Sequence, residues 1–251
     1  MDILIFSILT NFVYYCSGYI VQSHTKFQDN SNFFTFFLGI IVISFVGLFL
    51  NFFLPLSQLI NSLIYILVII IFFVKNKFNI NKKTLIFLIF SSSITFLLII
   101  YSNVNRPDAG LYHLPYISIL NENKIFFGIS NIHFRFGHVS IMQYLSAINN
   151  NYLFLNNGIS IPLASIVSFF YLYFLYDAWK ILNDNNYIEI DKIFSLLILI
   201  YIAFKVTRYS GFGNDAVGHL SFFYLISCVL KNQLNKININ KILLILIFIF
   251  I

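Results

Sequence analysis

The feature that most constrains this chain is the recurrence of apolar runs about as long as a bilayer is thick. Crossing a hydrocarbon core takes about 20 apolar residues, with a range of roughly 17–25. Runs that meet or approach that length occupy residues 3–21, 33–54, 56–74, 84–101, 158–181, 192–206 and 216–230. In lipid, every backbone N–H and C=O must be satisfied internally, so such runs become helices. The composition agrees: 59% of residues are hydrophobic and 10% charged, with a mean hydropathy of +0.86. A soluble domain carries roughly 25% charged residues. The expected fold class is all-α, a polytopic helical membrane protein with seven spans. The last run, "KILLILIFIFI" (241–251), is too short to cross, so a truncated eighth span and a fragmentary chain are expected.

The N-terminus, "MDILIFSILTNFVYYCSGYIV", has no basic leader and no small-residue cleavage site, and reads as a retained span. Cys16 and Cys228 both lie inside apolar runs, which argues against a disulfide framework or a cysteine-based zinc site. The pI of 9.2 is no nucleic-acid signal, because the lysines fall in short loops between apolar runs. The abundance of Phe, Ile, Asn and Lys resembles codon bias, and the Asn-rich loops read as compositional noise.

Lysine orients the chain. "KNKFNINKK" (75–83) and "KNQLNKININK" (231–241) are lysine-rich, and Lys180 and Lys192 flank the loop between their runs. Short lysine-rich loops mark the cytoplasmic side. Loops 102–157 and 207–215 then face the opposite side. That scheme closes only if "GHVSIMQYLSAINN" (137–150) does not cross, so an interfacial or re-entrant helix is expected after the fourth span.

The rare ionisable residues sort to the face opposite the lysines. All three arginines, Arg106, Arg135 and Arg208, fall in its two loops. So do His113, His133 and His138, with His219 beside them, and the acids Asp108, Glu122 and Asp215. Arginine offers a planar fork that grips carboxylate or phosphate through two bonds. Near a membrane surface that suits a lipid-linked phosphate, with lipid headgroups as the blander partner.

Three patches carry this chemistry. In "NRPDAGLYHLPY" (105–116), Asp108 sits in Pro/Gly turn chemistry before Tyr112 and His113. Its carboxylate is either a general base or a helix N-cap. In "FGISNIHFRFGHVS" (127–140), Asn131, His133, Arg135 and His138 interleave with aromatics. His133 and His138 are not at the spacing that pairs metal ligands on a helix, so no metal site is assigned, and a divalent metal is left open. In "RYSGFGNDAVGH" (208–219), Asp215 opens a helix beside Arg208, and the Gly-x-Gly is no dinucleotide fingerprint, because no strand precedes it. The alternative for Asp215 is again a helix cap.

These patches resemble the GT-C superfamily, polytopic glycosyltransferases that use polyprenyl-phosphate-linked sugars. The span "DAGLYHLPYISILNENKIFFGISNIHFRFGHVS" is also similar to an uncharacterised family of bacterial multi-spanning proteins. That family's pattern falls here on Asp108, Tyr112-His113, Gly128, Asn131, His133 and Arg135, with Asn214-Asp215 as its second acidic position. The resemblance covers roughly residues 84–220. It implies that Asp108 and Asp215 are catalytic and that Asp108 activates an acceptor hydroxyl. It implies that Arg106, Tyr112, His113, Asn131, His133, Arg135, His138 and Arg208 bind substrate. It departs from GT-C in placing three spans before the key loop, and in lacking an Asp-x-Asp pair.

The expected organisation is a three-span region (1–83), a GT-C-like core (84–220) and the start of a further transmembrane region (221–251). The expected function is sugar transfer from a polyprenyl-phosphate donor to an envelope acceptor, at the periplasmic face of the inner membrane. The bilayer and the donor lipid are the expected partners, and nucleic acid is not. A lipid or polysaccharide transporter, or a polysaccharide polymerase or ligase, are the competing readings.

Overall fold

The structure, a computed structural model, describes residues 2–24, 31–76, 80–101, 107–137, 140–183, 190–206, 209 and 215–232. Among them there is no strand. Four long helices come first: α1 (Asp2–His24), α2 (Asn32–Asn51), α3 (Gln58–Asn76) and α4 (Lys82–Tyr101). A π-helical turn (Ala109–His113) leads into α5 (Leu114–Glu122), followed by α6 (Ile141–Ile148). The chain continues with α7 (Ile161–Asn183), α8 (Ile190–Phe204) and α9 (Asp215–Asn232). Among the described residues, 5 helices are long and apolar enough to cross a membrane: α1 to α4, and α7 over Ile161–Trp179. The 15-residue α8 rises roughly 22 Å, short of the ~30 Å core.

Helix ends sort into two poles. At one, Lys75 Nζ donates to Ser23 Oγ (3.1 Å) and contacts the His24 ring, while Thr84 Oγ1 donates to Asn32 Oδ1 (3.1 Å). This is the lysine end. At the other, the arginine end, backbone bonds join the α2–α3 turn to α5: Leu56 N–H to Leu120 O and Ile125 N–H to Asn51 O, both 2.9 Å. Lys124 and Lys205 also lie toward this second end, so the lysine asymmetry is strong but incomplete.

α1, α2 and α7 form the centre, and α3 and α4 present apolar side chains outward. Leu67, Ile70, Leu97 and Ile100 are all at least half exposed, which is the mantle a hydrocarbon solvent requires. Without a hydrophobic drive between helices in lipid, close backbone approach and interhelical hydrogen bonds hold the bundle. Gly18 and Gly39 let α1 and α2 touch: a Cβ would fall 1.8 Å from Thr35 O at Gly18 and 1.6 Å from Tyr14 O at Gly39. Ser17 Oγ donates across this seam to Gly39 O (3.1 Å).

A polar knot ties α1, α4 and α7. Asn11 Nδ2 reaches Ser91, Ser92 and Thr95 hydroxyls, each at 3.2 Å. Ser91 and Thr95 both bond Ser168 Oγ at 3.0 Å. The serines at 91–92 are thus interhelical fasteners.

The interfacial or re-entrant helix expected after the fourth span is α6. α6 has 8 residues, every one buried, including Gln143 and Ser146. An interfacial helix keeps a wet polar face, and α6 has none. It is a buried plug between α2, α5 and α7, too short to cross. Ser140 Oγ caps its start by accepting from Met142 N–H (3.2 Å).

Asparagines hold that plug, which overturns their reading as noise. Asn149, at the end of α6, accepts from Thr10 (3.1 Å) and Tyr65 (2.7 Å) and donates to Tyr14 (2.9 Å). Asn51 Nδ2 meets the carbonyls of Leu54, Leu120 and Asn123. Asn61 and Asn121 share the carbonyls of Leu56 and Ala147. Helix C-termini leave unpaired carbonyls, and these amides satisfy them where water cannot reach.

Candidate functional site

Pro115 explains the shape of the turn that carries the site. It has no N–H and its ring crowds the preceding turn. The chain responds by widening into a π turn, closed by Leu114 N–H on Ala109 O. Such widened turns occur mostly as single bulges, frequently at functional sites. This one places Tyr112 and His113 side by side, with ring centroids 4.2 Å apart.

Asp108 precedes the turn. It is exposed, its backbone is right-handed helical (φ −60°, ψ −30°), and its side chain makes no capping bond. A true N-cap has extended backbone and accepts an N–H. The cap reading of Asp108 therefore fails.

Arg135 arrives from the 3₁₀ turn Phe134–Gly137. Its guanidinium lies 4.8 Å from the Tyr112 ring centroid and 5.6 Å from that of Phe134, and Nη1 donates to the Tyr112 hydroxyl at 3.5 Å. His133 lies nearly parallel to Tyr112 (13°, 6.3 Å) and its Nδ1 accepts the Arg135 backbone N–H (3.3 Å). Phe136 anchors the segment by packing on Tyr116 (5.4 Å).

His113 is the meeting point. Burial pushes its imidazole below the usual histidine range; Asp108 and Asp215 pull it back up, and Arg135 pushes it down. Ionisable groups from three segments, the 108–113 turn, the 134–137 turn and the start of α9, thus bear on His113. Asp108 and Asp215 lie at the same end of the bundle.

A family model described as a domain of unknown function (DUF8201) matches residues 1–251. The chain belongs to the DUF8201 family. No curated protein and no solved structure matches it.

In this DUF8201 chain the remaining candidates divide. Asn131 is exposed on the 3₁₀ turn Ile129–Asn131, after Gly128 at φ +83°, a left-handed conformation that suits glycine. Its side chain has no hydrogen bond to the cluster among the described residues. Arg106, His138, Arg208 and Asn214 lie outside the described residues. Glu122 accepts from Ser118 one turn earlier (2.9 Å). Among the described residues no group of three His, Cys, Asp or Glu side chains could hold a metal ion.

Three tyrosines belong to this end and were not singled out from sequence. Tyr201 and His219 are joined by a 3.2 Å bond, one helical turn beyond Asp215. Tyr209 is buried with its hydroxyl unpaired, and burial pushes its pKa up. Tyr144 on α6 is buried beside Tyr116 below the cluster. The adjacency of Tyr209 to Arg208 was the available signal. An open apolar groove along α2, lined by Leu38, Ile41, Val42, Phe45 and Phe49 with Val21 of α1, lies apart from the ionisable cluster.

Proposed function

We propose that this chain is a membrane glycosyltransferase that moves a sugar from a polyprenyl-phosphate donor to an envelope acceptor. The observation that carries the reading is the convergence of Asp108, Asp215 and Arg135 on His113 at the arginine end. In the proposed reaction, Asp108 takes the proton of the acceptor hydroxyl. The acceptor oxygen bonds to the anomeric carbon as the carbon–oxygen bond to phosphate breaks, inverting the centre. The electron pair leaves on the polyprenyl phosphate, whose charge Arg135 offsets.

The proposal includes seven spans, with α8 and α9 crossing as a pair, and the α6 plug beneath the site. It places the lysine end in the cytoplasm and the arginine end in the periplasm of an inner membrane. The π turn and the 134–137 turn then sit at the headgroup level. There a donor phosphate is presented while its chain stays in lipid.

The test is genetic and chemical. A strain deleted for the gene is complemented with wild type or Asp108→Asn, and envelope glycans and lipid-linked sugars are compared by mass spectrometry. The reading expects a missing sugar in the deletion strain, restored by wild type and not by Asp108→Asn at equal protein level. Full restoration by Asp108→Asn overturns Asp108 as the base. An unaltered glycan inventory in the deletion strain overturns sugar transfer.

A further inference from the structure

His113 carries an unexplained nitrogen. It is 7% exposed, and Nδ1 is buried with no hydrogen-bond partner among the described residues. Buried polar atoms in folded proteins are almost always paired, and an exception calls for an explanation such as a ligand or a catalytic role. The ring cannot turn away freely, because Tyr112 packs on it at 4.2 Å and the π turn fixes its backbone.

The groups that act on it come from every side of the cluster. Asp108 and Tyr112 share its own turn, Arg135 comes from the 134–137 turn, and Asp215 comes from α9. Arg135 is exposed and cannot lose its charge, whereas histidine titrates near neutrality. A fixed cation and a buried neutral imidazole in one cluster make a site whose charge can rise by one when an anion enters.

We propose that Arg135 and His113 together bind a phosphate monoester, Arg135 through its fixed charge and His113 by taking up a proton from solvent as the anion arrives. This rests on the transferase reading and specifies it. The phosphate monoester is what that reaction releases, so the site would hold the departing lipid phosphate. An incoming dianion favours the imidazolium form and repays its desolvation. Binding and protonation are then linked, each favouring the other.

The test is isothermal titration of the detergent-solubilised protein at about pH 8, where a phosphate monoester (second pKa about 6) is fully ionised. Geranylgeranyl monophosphate and inorganic phosphate are titrated separately, each in two buffers of different ionisation enthalpy. The expected result is an observed enthalpy that depends on buffer, reporting uptake of up to about one proton per site. The dependence disappears in His113→Gln and His113→Asn, and Arg135→Ala weakens binding by about tenfold or more. Binding of the prenyl phosphate alone identifies a lipid ligand. Equal binding of inorganic phosphate identifies a free phosphate.

Failure to bind either probe, or a buffer-independent enthalpy in the wild type, overturns the proposal without any variant. Buffer dependence that survives both His113 substitutions does so too. No sugar donor or acceptor is present, so this outcome is separate from that of the Asp108→Asn complementation.

Discussion

The Arg135 guanidinium sits 4.8 Å from the centre of the Tyr112 ring while its Nη1 reaches the same residue's hydroxyl at 3.5 Å. One residue thus orients the cation twice, through its ring face and its oxygen. Arg135→Lys keeps the charge but loses the fork and the planar stack. On the proposed transferase reading, KM for the lipid-linked donor should rise about tenfold, equal to roughly 1.4 kcal/mol, with a smaller change in kcat. Tyr112→Phe removes only the hydroxyl contact and should cost less than Arg135→Lys. Steady-state kinetics with a purified lipid donor check both.

His113 makes stability depend on pH in a definite direction. Its folded pKa lies below the ordinary value of 6.5, because burial disfavours the charged ring. Above 6.5 the ring is neutral in both folded and unfolded states, and this contribution to stability is fully present. As pH falls from 6.5 through the lower folded value, the unfolded state binds the proton first and stability is lost. Thermal unfolding in detergent should therefore show a drop in Tm across that acidic window in the wild type. The same window should be flatter in His113→Gln, which cannot titrate.

Two helical glycines, one in the α1–α2 seam and one in α9, predict opposite outcomes. Gly39→Ala places a methyl 1.6 Å from Tyr14 O, a backbone atom that cannot swing aside. The helices must separate, and overpacking of this kind costs about 1–3 kcal/mol or more. At Gly218 in α9 a Cβ meets nothing within 4 Å. Gly218→Ala should instead stabilise by about 0.5–1 kcal/mol through helix propensity. Thermal shift of the two variants checks the sign of each.

Asn149 should be the most sensitive of the buried asparagines. Asn149→Leu strands Thr10, Tyr14 and Tyr65, all buried. Each unsatisfied buried group costs about 1–3 kcal/mol, so a loss of roughly 3 kcal/mol or more is expected. Adding Tyr65→Phe to Asn149→Leu should recover part of it, because one stranded hydroxyl disappears. Unfolding midpoints of the two single variants and the double variant measure that coupling.

The long helices were legible because length and apolarity alone decide them: α1 to α4 fall on the predicted runs within a few residues. The fate of 137–150 was half legible. Its shortness excluded a crossing, but its burial depends on Asn149 and on Gly47, where α2 leaves room for Ile148. Those are contacts between residues about a hundred positions apart, which no local pattern encodes. The asparagines misled for the same reason, since an amide that caps a distant helix looks like any loop amide. At the site, sorting charges by face anticipated Asp108, Asp215 and Arg135 at one end. It could not decide whether Asp108 caps the turn, because that depends on backbone angles and a side-chain bond that sequence does not show. Tyr201, Tyr209 and Tyr144 were invisible among 16 tyrosines, since a hydroxyl's partner is a matter of packing.

The Asn149 clamp also sets a schedule for making the protein. Thr10 and Tyr14 enter the membrane with the first helix, yet the amide that satisfies them is encoded at position 149. At about 5–20 residues per second of synthesis, α1 waits on the order of ten seconds with those hydroxyls unmatched. Asn11 waits a shorter time, until Ser91, Ser92 and Thr95 of α4 emerge. During that interval the nascent chain carries polar groups in lipid that only its own later segments can relieve. A chain ending before residue 149 would lack the amide that pairs Thr10, Tyr14 and Tyr65.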